Sequence, residues 1–152
     1  MKIYLVTKSL SGVVGGVERQ LGNIAHRLSQ SGHEISVLTS DDSKPELFFK
    51  QLHQFPTLEY GVKFDKPTSL NKQRLARQKK IFNIIQKGKP DLVIGFMLSG
   101  FLVALPSSIC TRTPIVLAER NSPDVYNLTR AKKFKFLYFQ LMRLSAGITV
   151  QL

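Results

Sequence analysis

Hydrophobic positions along this chain switch repeatedly between a short unbroken run and a helical stripe. Lys2 to Thr7 is an apolar run that predicts a first strand. Val17, Leu21, Ile24, Ala25 and Leu28 then recur at i, i+4, i+7, i+8 and i+11, one face of a helix over Val17–Gln30. Gly32 stands where a helix-ending glycine belongs. Glu34–Thr39 predicts a second strand, and Asp41-Asp42-Ser43 a cap for a short helix after Pro45. Glu59–Phe64 reads as a weak strand. Asn71–Gln86 is a second long helix with Leu75, Ile81, Phe82 and Ile85 on its inner side, stopped by Gly88-Lys89-Pro90. Asp91–Phe96 and Pro114–Ala118 are near-continuous apolar runs, as in parallel strands covered on both faces. Ser99–Leu105 is a short helix between them. Thr129–Leu144 is the last helix and Gly147–Gln151 the last strand. Alternating strand and helix predict an α/β fold: a doubly wound, Rossmann-like, mostly parallel sheet flanked by helices.

The 152 residues suffice for one domain with a real core. The final Ile148-Thr149-Val150-Gln151-Leu152 stops within or just after a strand pattern, with no cap or polar tail. The expectation is therefore a single domain, residues 1–152, of a longer protein. One cysteine, Cys110, excludes an internal disulfide framework and fits a reducing compartment. No run approaches the ~18–20 apolar residues that cross a bilayer, and no secretory leader is visible.

Charge changes the picture more. A net +12 implies an anionic partner: lipid, nucleic acid or a phosphorylated substrate. One basic block runs from Lys63 to Lys89 with only Asp65 opposing. A second, Arg130 to Arg143, holds no acid. A solvated helix face is the ordinary reading of either block.

Three loops leave predicted strand ends with chemistry in them. Ser9–Gly16 holds Gly12, Gly15 and Gly16 ahead of a helix, where backbone N–H groups attract phosphates. A ligand-free tight turn is the alternative. Met97-Leu98-Ser99-Gly100 follows the third strong strand, and Glu119-Arg120-Asn121-Ser122-Pro123 the fourth. Ligands of open parallel sheets bind outside such ends. Neither a G-x-G-x-x-G fingerprint nor a P-loop is present. His26, His33 and His53 occupy a helix, a turn and a polar segment and suggest no catalysis, and no Cys/His metal pattern occurs.

Gly15-Gly16-Val17-Glu18, then Leu28 and Ser31-Gly32-His33-Glu34-Ile35-Ser36-Val37-Leu38-Thr39, resemble the start of family-4 glycosyltransferases of the GT-B fold. Pro90-Asp91-Leu92-Val93 resembles that family's P-D-x-V strand. Ala118-Glu119-Arg120-Asn121-Ser122-Pro123 resembles an S/A-E-R-N-D-P element of members that build cell-surface polysaccharides. The resemblance implies the N-terminal, acceptor-side domain of an enzyme whose second domain binds most of a nucleotide-sugar donor. That donor is a co-substrate; no covalently bound cofactor and no metal at the site are implied. Gly15 and Gly16 would approach the donor diphosphate, with Asn121 beside them. Some members carry histidine where Arg120 stands here. A permanently charged Arg120 cannot shuttle a proton but can clamp a phosphate or leaving-group charge, with Glu119 alongside. A local Glu119–Arg120 ion pair is the alternative. The acceptor expected is a polyprenyl-linked or other glycan.

The last predicted helix carries Phe134, Leu137, Tyr138, Leu141 and Leu144 on one stripe, widened by Phe136 and Phe139 and ringed by Lys132, Lys133, Lys135 and Arg143. A basic aromatic helix suits an anionic bilayer surface. Packing on the sheet or on a further domain is the other reading. Cytoplasmic location, peripheral on the inner face of the cell membrane, follows from the first. A non-enzymatic basic module for acidic lipid or nucleic acid is the competing function, although no nucleic-acid motif occurs and none is expected to bind.

Overall fold

The computed structural model describes residues 1–10, 16–41, 52–65 and 67–118. Five parallel strands form its sheet: β1 (Lys2–Val6), β2 (Glu34–Thr39), β3 (Thr57–Glu59), β4 (Leu92–Phe96) and β5 (Ile115–Ala118). Their order is β3-β2-β1-β4-β5. Three helices connect them: α1 (Gly16–Gln30), α2 (Leu70–Gly88) and α3 (Met97–Thr111).

Each face of the sheet buries its own apolar set, because successive strand side chains point to opposite sides. On one face Ile3, Leu5, Ile35 and Val37 pack with Leu21 and Ala25 of α1 and with Leu52 and Phe55. On the other, Tyr4, Val6, Leu38 and Val93 pack with Ile81 and Ile85 of α2 and Ala104 of α3. The α/β doubly wound fold read from the pattern is the fold observed, with every described strand parallel.

Three local readings need correction. The weak strand over Glu59–Phe64 forms earlier, at Thr57–Glu59, where β2 offers partners at Val37, Leu38 and Thr39. Leu75, expected inside, is 72% exposed, because α2's first turns overhang the core that Ile81 and Ile85 fill. The short helix at Ser99–Leu105 is longer, Met97–Thr111, and leaves β4 with no intervening loop. Met97 makes that turn in a single residue, with φ 59° in the left-handed region. Pro106 does not stop α3, since its ring is exposed while Phe101, Ala104, Ser107 and Ser108 are buried on both sides of it.

Close approach of α3 to the sheet depends on two glycines. A Cβ on Gly100 would run into the Val6 carbonyl, and one on Gly95 into the Phe101 backbone. The helix start is thereby seated directly on the ends of β1 and β4. The predicted helix over Thr129–Leu144, the strand at Gly147–Gln151 and the short helix after Pro45 lie outside the described residues.

Candidate functional site

Parallel strands bring all their C-terminal ends to one rim, and α1, α2 and α3 all begin there. The chain leaves β1 toward one face through α1 and leaves β4 toward the other through α3. Strand order therefore reverses between β1 and β4, the place where open α/β sheets bind ligands. β5 ends at Ala118 on the same rim, two strands from β1, or about 10 Å by the usual spacing.

The stem of the glycine-rich loop is held from the neighbouring strand. Asp41, two residues past β2, accepts hydrogen bonds at one carboxylate oxygen from Ser9 Oγ (2.7 Å). Its other oxygen accepts from the Leu10 N–H (2.6 Å) and Thr39 Oγ1 (2.8 Å). The Asp41 N–H donates in turn to Thr39 Oγ1 (3.3 Å). The Ser40 hydroxyl and the Ser40 N–H both donate to the Lys8 carbonyl, the latter at 3.1 Å. An ionised acceptor makes the stronger class of hydrogen bond, so the path from Lys8 to Leu10 is fixed before the glycines are reached.

Tyr60 braces the same stem from below. It is 2% exposed, and its hydroxyl donates to the Thr7 carbonyl (2.9 Å) while its N–H donates to the Thr39 carbonyl (2.8 Å). Burial is the main cause that pushes the Tyr60 hydroxyl up to about 12. The Ser40 hydrogen bond and the Arg77 charge pull the other way, and Asp41 reinforces the rise. Tyr60 thus stays a proton donor throughout the neutral range. Lys80 Nζ donates to the Gly61 carbonyl (2.6 Å), tying α2 to the next residue.

Gly16 opens α1 at an exposed position on this rim. Glu18 lies in the first turn, where a carboxylate complements the helix N-terminus. Its Oε2 is buried and meets no donor among the described residues, as is Oε1 of Gln20. Of the residues the resemblance assigns to donor binding, catalysis or membrane docking, Gly16 is the one described; of the candidate loops, Ser9 is held by Asp41 and Met97–Gly100 form the start of α3 rather than a loop. Gly15, Glu119, Arg120 and Asn121 lie outside the described residues, as do Lys132, Lys133, Lys135, Phe136 and Phe139.

Asp41 and Tyr60 were not foreseen as site residues. The available signal for Asp41 was a carboxylate directly past a buried strand; its pairing with Ser9, 32 residues away, is tertiary. The cleft of about 570 Å³ bordered by Lys89, Asp91, Arg112 and Pro114 is at the opposite rim, below the starts of β4 and β5. Among the described residues no group of three His, Cys, Asp or Glu could hold a metal ion. None of their helices is long and apolar enough to cross a membrane.

The model of Glycosyltransferase Family 4 matches residues 14–150. The chain belongs to this family. Its match begins at the glycine-rich bend and runs through the rim elements just described. Among solved structures, Anabaena Alr3699/HepE in complex with UDP and glucose is 25% identical, with TM-score 0.57 over 82% of this chain and 31% of that one. Acinetobacter baumannii MurG is 15% identical, with TM-score 0.60 over 79% of this chain and 34% of that one. A UDP-N-acetylglucosamine 2-epimerase is 11% identical, with TM-score 0.67 over 99% and 41%. The last two show the shared fold alone. The chain spans about a third of the length of the first two structures. No curated protein matches it. The glycosyltransferase-family domain is thus an α/β, Rossmann-like unit of the GT-B kind.

Proposed function

We propose that this glycosyltransferase-family domain is the acceptor-side half of an enzyme that moves a hexosyl group from a nucleoside-diphosphate sugar to a lipid-linked or cell-surface polysaccharide precursor. The family match across 14–150 carries this reading. Alr3699/HepE, with UDP and glucose bound, supports the donor class. In the reaction the bond between the anomeric carbon and the diphosphate oxygen breaks, a bond to the acceptor hydroxyl oxygen forms, and the hydroxyl proton is released. Catalysis then rests on positioning and on stabilising the leaving charge.

In this assignment Gly15 and Gly16 let the diphosphate approach the backbone, and Asn121 adds an amide. Arg120 clamps the leaving charge with Glu119 alongside. Most of the donor site belongs to a second domain, so residues 1–152 alone transfer no sugar. Lys132, Lys133, Lys135, Phe136 and Phe139 hold the enzyme on the inner face of the membrane, where a polyprenyl-linked acceptor resides.

The experiment is Gly16→Val in the full-length enzyme, assayed with nucleotide-sugar donors and product analysis. The expected result is a loss of transfer of about 100-fold or more with an unchanged far-ultraviolet circular dichroism spectrum. Wild-type kinetics would overturn the phosphate-loop assignment. A product epimerised at C2 of the nucleotide sugar, with no acceptor modified, would replace transferase by the epimerase chemistry that also occurs on this fold.

A further inference from the structure

Within the basic block between Lys63 and Lys89, Lys72, Arg74 and Lys79 have no task in the site described above, and the exposed leucines of α2 have no partner in the core. Leu75 is 72% exposed and Leu70 is 70% exposed, while Phe64, just ahead of the helix, is 38% exposed. Lys72 and Lys79 are at i−3 and i+4 from Leu75, so the three share one face of α2. Leu70 and Arg74, four apart, form the neighbouring row. Lys72, Arg74 and Lys79 are all exposed. The helix contains no acid anywhere along its length, and its first turn has none to complement the dipole. A cation such as Lys72 near a helix N-terminus opposes the macrodipole. Helix stability therefore does not explain this charge pattern, and core packing does not explain the leucines. The neighbouring cations of α2 face inward: Lys80 bonds the Gly61 carbonyl and Arg77 bears on Tyr60.

Apolar side chains ringed by unopposed cations are complementary to a surface that is negative outside and apolar just beneath. The location agrees. α2 follows β3 and starts at the C-terminal rim of the sheet. We propose that the Lys72–Leu75–Lys79 face of α2, with Leu70, Arg74 and Phe64 beside it, docks on an anionic phospholipid bilayer. The inference deepens the membrane reading above and rests on it for the acceptor's location. It names a contact on α2, separate from residues 129–144, that brings the site rim to the lipid surface.

The test is co-sedimentation of the full-length protein with phosphatidylglycerol–phosphatidylcholine vesicles and with phosphatidylcholine vesicles, near physiological salt. One variant carries Lys72→Gln, Arg74→Gln and Lys79→Gln, a second carries Leu70→Gln and Leu75→Gln, and a comparator carries Lys132→Glu, Lys133→Glu and Lys135→Glu. All the altered α2 residues are exposed, so circular dichroism and the thermal midpoint verify folding. Wild type should prefer the anionic vesicles. The charge variant should bind them about 100-fold more weakly, since each cation near such a surface contributes roughly a factor of five. The leucine variant should bind roughly tenfold more weakly. Wild-type binding by both α2 variants overturns the proposal, and loss in the comparator alone assigns the contact to 129–144 instead. A change in solution mass of the α2 variants with unaltered vesicle binding makes the face a protein interface and also overturns it. Transfer to a water-soluble acceptor without vesicles separates the two readings. Impaired docking with intact transfer speaks only for α2, and docking without any transfer defeats only the transferase reading.

Discussion

Ser9 Oγ donates a 2.7 Å hydrogen bond to Asp41, joining the exit of β1 to the exit of β2. The same carboxylate takes the Leu10 N–H at 2.6 Å. Leu10 is buried, so removing its acceptor strands a donor away from water. Asp41→Ala should cost about 2 kcal/mol in urea unfolding, with Asp41→Asn recovering part of the loss. In the full-length enzyme, Asp41→Asn should raise KM for the donor more than it lowers kcat, because the loop is misplaced while the chemistry is untouched. Equal stability of wild type and Asp41→Ala would show that the loop holds its course unaided.

Tyr60 predicts a pH dependence with a definite sign. Its hydroxyl lies near 12 in the fold against about 10 for an unfolded tyrosine. The folded state therefore holds this proton more tightly. Its contribution is complete below pH 10 and falls away as pH rises through the 10–12 window, by an amount on the order of 2–3 kcal/mol. Tyr60→Phe should show a flatter decline over that window than wild type. At pH 7 the variant should lose about 1 kcal/mol, as the Thr7 carbonyl forfeits its donor. Superimposable stability curves of the two proteins from pH 9 to 12 would refute the assignment.

Two glycines should respond to alanine for different reasons. Gly100→Ala places a methyl on the Val6 carbonyl, backbone against backbone, with no flexible end to yield. A loss of about 3 kcal/mol is expected, together with reduced transfer, since α3 would lift from the site rim. Gly32→Ala meets nothing within 4 Å but forces an L-residue to φ +82°. Its cost should be about 1–2 kcal/mol with activity unchanged. Chemical denaturation of both variants checks the order.

Gly95 supplies a related prediction on β4. A Cβ there would meet the Phe101 backbone. Gly95→Ala should destabilise by a similar 2–3 kcal/mol, and Gly95→Ala with Gly100→Ala should be non-additive, because both push against the same helix start. Strict additivity in a double-mutant cycle would mean that the two contacts relax independently.

Period and punctuation alone sufficed for the α/β class, for α1, and for β1, β2, β4 and β5 to within a residue or two. Those segments were legible because their burial is two-sided or strictly periodic, and such burial is written directly into residue order. Leu75 was misjudged because helical spacing assigns a face, while exposure depends on how far the helix projects past the sheet. α3 runs past Leu105 because burial of Phe101, Ala104 and Ser107 carries the helix through Pro106, which a local rule would treat as a break.

The site divides the same way. Sequence by itself determined the start of α1 directly after its glycines, the basic surplus and the succession of strand–helix units, since each depends on neighbours along the chain. Only the tertiary structure decided that Asp41 holds Ser9, that Tyr60 supports Thr7, and that Gly100 seats α3 on Val6. Those relations join residues separated by 32, 53 and more than 90 positions, and no local propensity specifies which distant carboxylate, hydroxyl or backbone carbonyl the folded sheet will bring within reach.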